Sequence, residues 1–179
     1  MKTNKKIINW EIASTLFVIF FGSFLHFIYQ ISNNSEFVAL FAPVNESVWE
    51  HLKLGFWALF IFMILEYFFI NKLVHNFFLA KFLGIIAMEL TIVIIFYSYT
   101  FFTKESILFV DISSFIIGAI LCSLVCLKFY KFKLKTNFDS VAAIGLILIA
   151  FTFMVLTFFP PQVPIFFDKT VNQYGIPQK

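Results

Sequence analysis

Arginine is absent from this chain, and all 13 basic residues are lysine. Without guanidinium groups the chain cannot bind phosphate in the bidentate manner of arginine. The formal net charge of +3 is also too small for the basic surface that nucleic-acid binding requires. Since the sequence contains no glycine-rich phosphate loop and no nucleophile elbow, we expect no nucleic-acid partner and no ATP-driven activity.

Cysteine is scarce too, with Cys122 and Cys126 spaced four residues apart in an apolar run. Two cysteines on adjacent helical turns could hold a metal or form a disulfide. The apolar surroundings favour a third role, as small residues that let helices pack closely.

Charged residues make up 13% of the chain and hydrophobic residues 61%, with 29 phenylalanines. The mean hydropathy is +0.93. A soluble domain is about 45–50% apolar and would have no place to bury this excess. The composition therefore predicts an integral membrane protein whose main partner is the lipid bilayer.

A membrane-spanning helix needs about 20 mostly apolar residues. Five segments meet this length, which predicts an all-α bundle in one integral membrane domain, residues 1–179. The first segment follows basic residues but has no small-residue cleavage site, so we interpret it as an uncleaved span that also targets the chain. The predicted spans are residues 8–31, 46–70, 77–102, 107–127 and 138–159.

The lysines are distributed unequally between the two sides of this bundle. With five spans, nine lysines fall on the side of the N-terminus and the second and fourth loops, and four fall on the other side. Cytoplasmic loops collect positive charge. The distribution predicts a cytoplasmic N-terminus and a C-terminus outside.

The densest polar segment, residues 45–53, opens the second span from the predicted outer side. Glu46, Glu50 and His51 lie within two helical turns, and His26 near the end of the first span could reach them. Two carboxylates with imidazoles could bind a divalent metal or act as general acid and base. These four residues are our candidate catalytic and metal-binding set; the cofactor itself is left open.

Each of these residues also has a structural interpretation. Ser47-x-x-Glu50 matches a capping box, Glu50 and Lys53 could form a solvated ion pair, and His26 could hydrogen-bond between helices.

Further polar side chains are candidates for ligand binding. Trp49 could instead anchor the chain at the membrane interface, Asp111 could be a first-turn acid, and Glu89 could be a neutral carboxyl bonded across helices.

Three prolines in residues 160–164 rule out a continued helix, and we expect this tail to fold back over the outer mouth of the bundle. The candidate binding residues are Asn45, Trp49, Lys53, Tyr29, Glu89, Asp111 and Asp168.

The segment P-V-N-E-S-V-W-E-H-L-K at residues 43–53 resembles the signature of a family of small multi-pass bacterial membrane proteins known only as a domain of unknown function. The ending P-P-x-x-P-x-F-x-D at residues 160–168, followed by Y-G-I at residues 174–176, fits the same pattern. The resemblance covers nearly the whole chain and implies a bacterial cytoplasmic membrane location, but it transfers no activity.

A fainter similarity links Glu46, Trp49 and His51 to the progestin and adiponectin receptor type of membrane hydrolase. The chain differs from that family in having too few residues for seven spans and no late H-x-x-x-H pair.

Three function classes follow from these residues. The first is a small membrane enzyme with an outward-facing polar pocket that acts on a lipid or small lipophilic substrate. The second is a transporter or ion-conducting subunit, in which Glu89 extends a proton or cation path. The third is a non-catalytic scaffold or sensor.

Overall fold

The computed structural model describes residues 4–134 and 138–177 and consists of packed helices. Five of them are long and apolar enough to cross a membrane, which confirms the predicted all-α bundle. A two-stranded antiparallel sheet in the tail pairs Phe167 with Tyr174. The elements are α1 (Lys5–Ile31), α2 (Glu36–Ala39), α3 (Val48–Ile70), α4 (Phe77–Thr103), α5 (Leu108–Phe129), α6 (Phe138–Phe158), β1 (Phe167–Asp168) and β2 (Gln173–Tyr174), with single 3-10 turns at Asn71–Leu73 and Pro164–Phe166.

The long helices begin and end within three residues of the predicted spans, and local caps explain the largest differences. Helix α1 starts three residues early because the Asn4 side chain accepts a hydrogen bond from the Lys6 backbone N–H. Helix α3 starts at Val48 rather than at residue 46, because Ser47 is its N-cap residue.

Helix α3 lies at the centre of the bundle. Of its most apolar 18-residue stretch 56% is buried, against 33% or less in each of the other long helices. It packs against α1 and α4, while α4 also packs against α5 and α6. The outer faces carry exposed apolar side chains such as Phe20, Phe68 and Phe109, as a lipid-facing surface requires.

Cys122 and Cys126 are free and buried. They pack against α4, where a Cβ atom added to Gly84 would lie 2.8 Å from Cys122 Sγ and 2.9 Å from Cys126 Sγ. The two thiols therefore occupy the contact between α4 and α5, as small packing residues do.

The bundle has two ends that carry different polar groups. We call the end formed by the start of α3, the close of α6 and residues 159–177 the tail end, and the opposite end, where α1 begins, the amino end. Which end faces the cytoplasm stays a prediction. The nine lysines on the side of the N-terminus include Lys81, and the four on the other side include Lys53. Both of these are 0% exposed, so eight and three lysines remain, and the distribution keeps its direction.

Candidate metal centre

Three side chains that can bind a metal meet at the tail end. His26 lies near the close of α1, Glu46 precedes α3, and His51 lies in the first turns of α3. One ligand atom from each lies within 4.8 Å of the other two. His26 Nε2 is 3.7 Å from Glu46 Oε1, and His51 Nε2 is 3.4 Å from Glu46 Oε2. We call these three residues the open cluster.

The backbone around the start of α3 orients His51. Its Nδ1 atom lies 2.9 Å from the Ser47 carbonyl oxygen. A carbonyl oxygen can only accept, so Nδ1 carries a proton and donates it. In the neutral ring, Nε2 then presents a lone pair to the Glu46 carboxylate. Two lone pairs that face each other at this distance require a positive charge between them, either a proton or a metal ion.

Glu46 is held in its ionised form. The hydrogen bond from His51 lowers the pKa of this carboxyl, and the nearby His26 acts in the same direction, although burial and the charge of Asp168 oppose the shift. Glu46 remains 46% exposed, His26 30% and His51 36%. The cluster therefore offers an ionised carboxylate and is open to solvent.

A cavity of about 350 Å³ adjoins the open cluster. Tyr29 lines it from α1, and Asn45 and Glu46 line it from the chain before α3. Thr170 and Val171 of the tail close its other side. The cavity is large enough for a small group or the polar part of a larger molecule.

The tail is fastened to this site through hydrogen bonds. Asp168 accepts the backbone N–H of Glu46 at 2.8 Å and both the backbone N–H and the hydroxyl of Thr170. The Asn45 amide donates to the carbonyl oxygen of Gly175 at 2.7 Å. Gly175 adopts a positive φ of 67°, which glycine tolerates without strain.

The Asp168 side chain is 1% exposed, yet it is ionised. Burial opposes the charge, but hydrogen bonds from Thr170 and from the Glu46 backbone outweigh it and hold the pKa of Asp168 below its usual value.

Glu50 and Lys53 form a buried ion pair, which corrects the expectation of a solvated one. Lys53 Nζ donates to Glu50 Oε2 at 2.8 Å, and both side chains are 3% exposed or less. Lys53 also donates to the Ala39 carbonyl and the Thr157 hydroxyl, and Glu50 accepts the Val44 N–H. The pair therefore links α3 to α2, to α6 and to the chain before α3. Glu50 is not one of the three residues that converge in the open cluster.

The capping box predicted at Ser47 is half present. The Ser47 hydroxyl accepts the Glu50 backbone N–H at 3.4 Å. The second hydrogen bond of a capping box, from the Ser47 backbone N–H to the Glu50 carboxylate, is not formed, because this carboxylate accepts the Val44 backbone N–H instead.

Trp49, Asp111 and Glu89 lie outside the open cluster. The Trp49 ring packs between Phe153 and Phe166. Asp111 accepts a 2.6 Å hydrogen bond from the Tyr99 hydroxyl, as part of the join between α4 and α5. Both carboxylate oxygens of Glu89 are buried, and no hydrogen-bond partner for them occurs in residues 4–134 and 138–177.

Sequence reasoning missed Thr157 and Thr170. The Thr157 hydroxyl contacts both Lys53 and Glu50, and the Thr170 hydroxyl donates a hydrogen bond to the Asp168 carboxylate. A hydroxyl near the close of an apolar helix, or in a turn, carries no recognisable pattern. Only the packing of α6 and the tail reveals these roles.

A family model of unknown function, DUF6512, matches residues 1–176. The chain belongs to this family. No curated protein and no solved structure matches the chain. Membership agrees with the expected family of unknown function and assigns no chemistry to the chain.

Proposed function

We propose that this protein is a small membrane enzyme that binds a divalent metal ion, most readily zinc, through His26, Glu46 and His51. Its substrate is a lipid or a small lipophilic molecule. The observation that carries the proposal is the convergence of these three side chains, with one ligand atom of each within 4.8 Å of the others. Two histidines and one glutamate form a known catalytic zinc set, in which a fourth position stays open for water or substrate.

The distances support this assignment. Zinc binds nitrogen and oxygen ligands at about 2.0–2.1 Å, so tetrahedral ligands lie about 3.4 Å from one another. His51 Nε2 lies 3.4 Å from Glu46 Oε2 and His26 Nε2 lies 3.7 Å from Glu46 Oε1, so each histidine is at about this spacing from one carboxylate oxygen. The Ser47 carbonyl that fixes the His51 ring corresponds to the outer hydrogen bond typical of metal-binding histidines.

The surroundings favour hydrolysis of a lipophilic molecule over a purely structural ion. The ligands are partly exposed, and the adjoining cavity could hold a polar headgroup. A bound zinc ion would bring the pKa of a coordinated water to about 7 and so supply a nucleophile. Glu50, which pairs with Lys53, would support the site without reacting.

Metal binding is the first test. The protein is purified in detergent, and its zinc content and zinc affinity are measured by elemental analysis and chelator competition. We expect one zinc per chain and a loss of affinity of about 100-fold or more in His51→Ala and Glu46→Gln, since even outer-sphere partners are worth 10–100-fold. His75→Ala is the matched control, because His75 lies at the amino end beside Tyr130. Equal affinity in all four proteins would overturn the metal site.

Hydrolysis is the second test. The zinc-loaded protein is incubated in mixed micelles with phospholipids and with fluorogenic fatty-acyl esters, and product release is followed. We expect turnover by the wild type and by His75→Ala, and none by Glu46→Gln. Zinc binding without turnover of any lipid would limit the protein to a zinc-binding role.

A transport role is the second candidate, and Glu89 favours it. Its buried carboxylate oxygens have no hydrogen-bond partner among the described residues, and an intramembrane carboxyl of this kind is a common element of proton and cation paths. Proton or cation flux into liposomes that disappears in Glu89→Gln would support transport. Wild-type behaviour of every variant in both assays would leave a scaffold or sensor.

We also propose a bacterial cytoplasmic membrane as the location, and this part of the proposal is supported by the resemblance at residues 43–53.

A further inference from the structure

Four polar side chains meet in the interior of the amino end, far from the open cluster. Glu11 comes from α1, Glu66 from α3, Lys81 from α4, and Tyr130 directly follows α5. Each is 1% exposed or less. We call this set the buried charge cluster. Ionisable groups inside a membrane bundle are costly and are usually functional.

The contacts within the buried charge cluster are short. Lys81 Nζ lies 2.8 Å from Glu11 Oε1 and 2.5 Å from Glu66 Oε2. The Tyr130 hydroxyl donates to the same Glu11 oxygen at 2.8 Å. The approach of Lys81 to Glu66 is an ion pair by distance, but its angles are not those of a hydrogen bond.

The charges in this cluster do not balance if both carboxyls are ionised. Two carboxylates would face one ammonium group, and Lys81 and Lys53 are the two buried lysines in the described parts of the chain. Lys53 belongs to the tail end. An uncompensated buried charge costs several kcal/mol, and a buried group neutralises instead. One proton restores neutrality.

The hydrogen bonds indicate which carboxyl holds this proton. Glu11 accepts from both Lys81 and Tyr130, which favours the ionised form. Glu66 lies beside Lys81 and Glu11, and its Oε1 atom is buried with no hydrogen-bond partner in the described residues. Within residues 4–134 and 138–177, Glu11 Oε2 also has no hydrogen-bond partner, but Glu11 Oε1 accepts two hydrogen bonds, whereas neither oxygen of Glu66 accepts one there.

We propose that the buried charge cluster is a proton-binding site, in which one exchangeable proton resides on Glu66 while Glu11 and Lys81 form an ion pair. The proton leaves or joins the Glu66 carboxyl as H⁺, with no other bond changed. The groups that face Glu66 are Glu11 from α1, Lys81 from α4, and Tyr130, while Cys122 and Cys126 of α5 lie near Lys81. The site is independent of the metal centre.

A proton fits this site better than a metal cation does. The Lys81 ammonium already lies between the two carboxyls, within 2.8 Å of an oxygen of each. A sodium ion would have to share that space with an ammonium group, against charge repulsion. The occupant that remains compatible is H⁺.

Infrared spectroscopy of the purified protein near neutral pH tests the proposal. A protonated carboxyl absorbs in the carboxylic-acid C=O region and shifts on exchange into D₂O. We expect Glu66→Gln to lose one component of this absorption. In Glu11→Gln a single carboxyl faces the ammonium group, so Glu66 should ionise and the component should be lost there as well. The double variant Glu11→Gln with Lys81→Met removes the ammonium group too and should keep the Glu66 component. Glu89→Gln separates any contribution of the other buried carboxyl. Since glutamine resembles a neutral glutamic acid in shape, the variants should fold.

Two further measurements sharpen the result. In Lys81→Met, Glu11 loses its ammonium partner, so a second carboxylic-acid component should appear. High NaCl should leave the wild-type spectrum unchanged. An absorption unaltered in Glu66→Gln, one lost in Glu11→Gln alone, or one removed by sodium would each overturn the proposal. Because none of these measurements involves zinc, they are decided separately from the metal centre.

Discussion

The open cluster and the buried charge cluster use similar groups at opposite ends of one bundle. Both combine carboxyl groups with basic nitrogens, and both include one side chain from α1 and one from α3. In the open cluster the side chains are 30–46% exposed, whereas in the buried one they are 1% exposed or less. Exposure decides what can bind, because an ion with its hydration shell can reach the first cluster, whereas the Lys81 ammonium group already lies between the carboxyls of the buried second cluster.

The comparison also separates binding from stability. Removing one partner of a buried charged group leaves the other partner uncompensated, and this costs several kcal/mol. Removing a partly exposed ligand leaves neighbours that water can solvate. Substitutions in the buried charge cluster should therefore change the free energy of unfolding, while those in the open cluster should change ligand affinity.

The largest effect is expected for Lys81→Met. Glu11 would lose its buried partner, which should lower the free energy of unfolding by about 3–5 kcal/mol. Unfolding in detergent micelles measures this loss. Lys72→Met, at an exposed lysine, is the matched control and should change stability little. The double variant Glu11→Gln with Lys81→Met should recover part of the loss, since no unpaired charge remains. Equal free energies of unfolding for Lys81→Met and Lys72→Met would contradict the stabilising role of the buried charge cluster.

Zinc that binds at the open cluster should stabilise the folded protein by mass action. At a free zinc concentration of 100 times the Kd, the gain is about 2.7 kcal/mol. Thermal unfolding of the wild type with and without zinc measures this gain, and a chelator should reverse it. Neither His26→Ala nor His51→Ala should respond, whereas Lys81→Met should keep the response despite its lower stability. A zinc shift that survives loss of either histidine would place the ion elsewhere.

Asp168→Asn should weaken the fastening of the tail. Asp168 accepts from the Glu46 backbone and twice from Thr170, and bonds to charged groups contribute about 1.5–3 kcal/mol. Because asparagine keeps one acceptor oxygen, we expect a loss of about 1.5 kcal/mol and faster proteolysis within residues 159–177. Glu105→Gln, at an exposed acid, is the control. A variant as stable as this control would show that the tail is held by packing alone.

The smallest effect is the pH dependence of the same contact. The pKa of Asp168 is lower in the folded chain than in the unfolded chain. Its contribution to stability is therefore complete above the unfolded pKa of about 3.9 and disappears as the pH falls through the lower, folded value. The difference in stability between the wild type and Asp168→Asn should shrink in this acidic range. A difference that is constant down to pH 2 would mean that the charge of Asp168 is not responsible.

Much of the tail end could be predicted from the sequence, because the motif is local. His51, Glu46 and the Ser47 cap lie within one short segment, so their closeness follows from helix geometry. The partners of Glu50 did not follow in the same way. A pair at i and i+3 looks solvated in a sequence, and only the packing of Ala39 and Thr157 around it makes it buried.

The buried charge cluster could not be predicted in this manner. Glu11 and Lys81 lie close to the predicted ends of their spans, where charged side chains are ordinarily solvated or directed toward the lipid headgroups. Their pairing joins positions 70 residues apart. No periodicity or spacing encodes such a contact.

The sequence by itself determined the number of spans, the all-α class and the membrane environment, because the length and apolarity of a helix are local properties that the bilayer requires of each segment separately. The tertiary structure alone decided which charges meet. Side chains on different helices become neighbours only when the helices pack, and burial then determines whether a polar group pairs with a charge, holds a proton or remains open to a ligand.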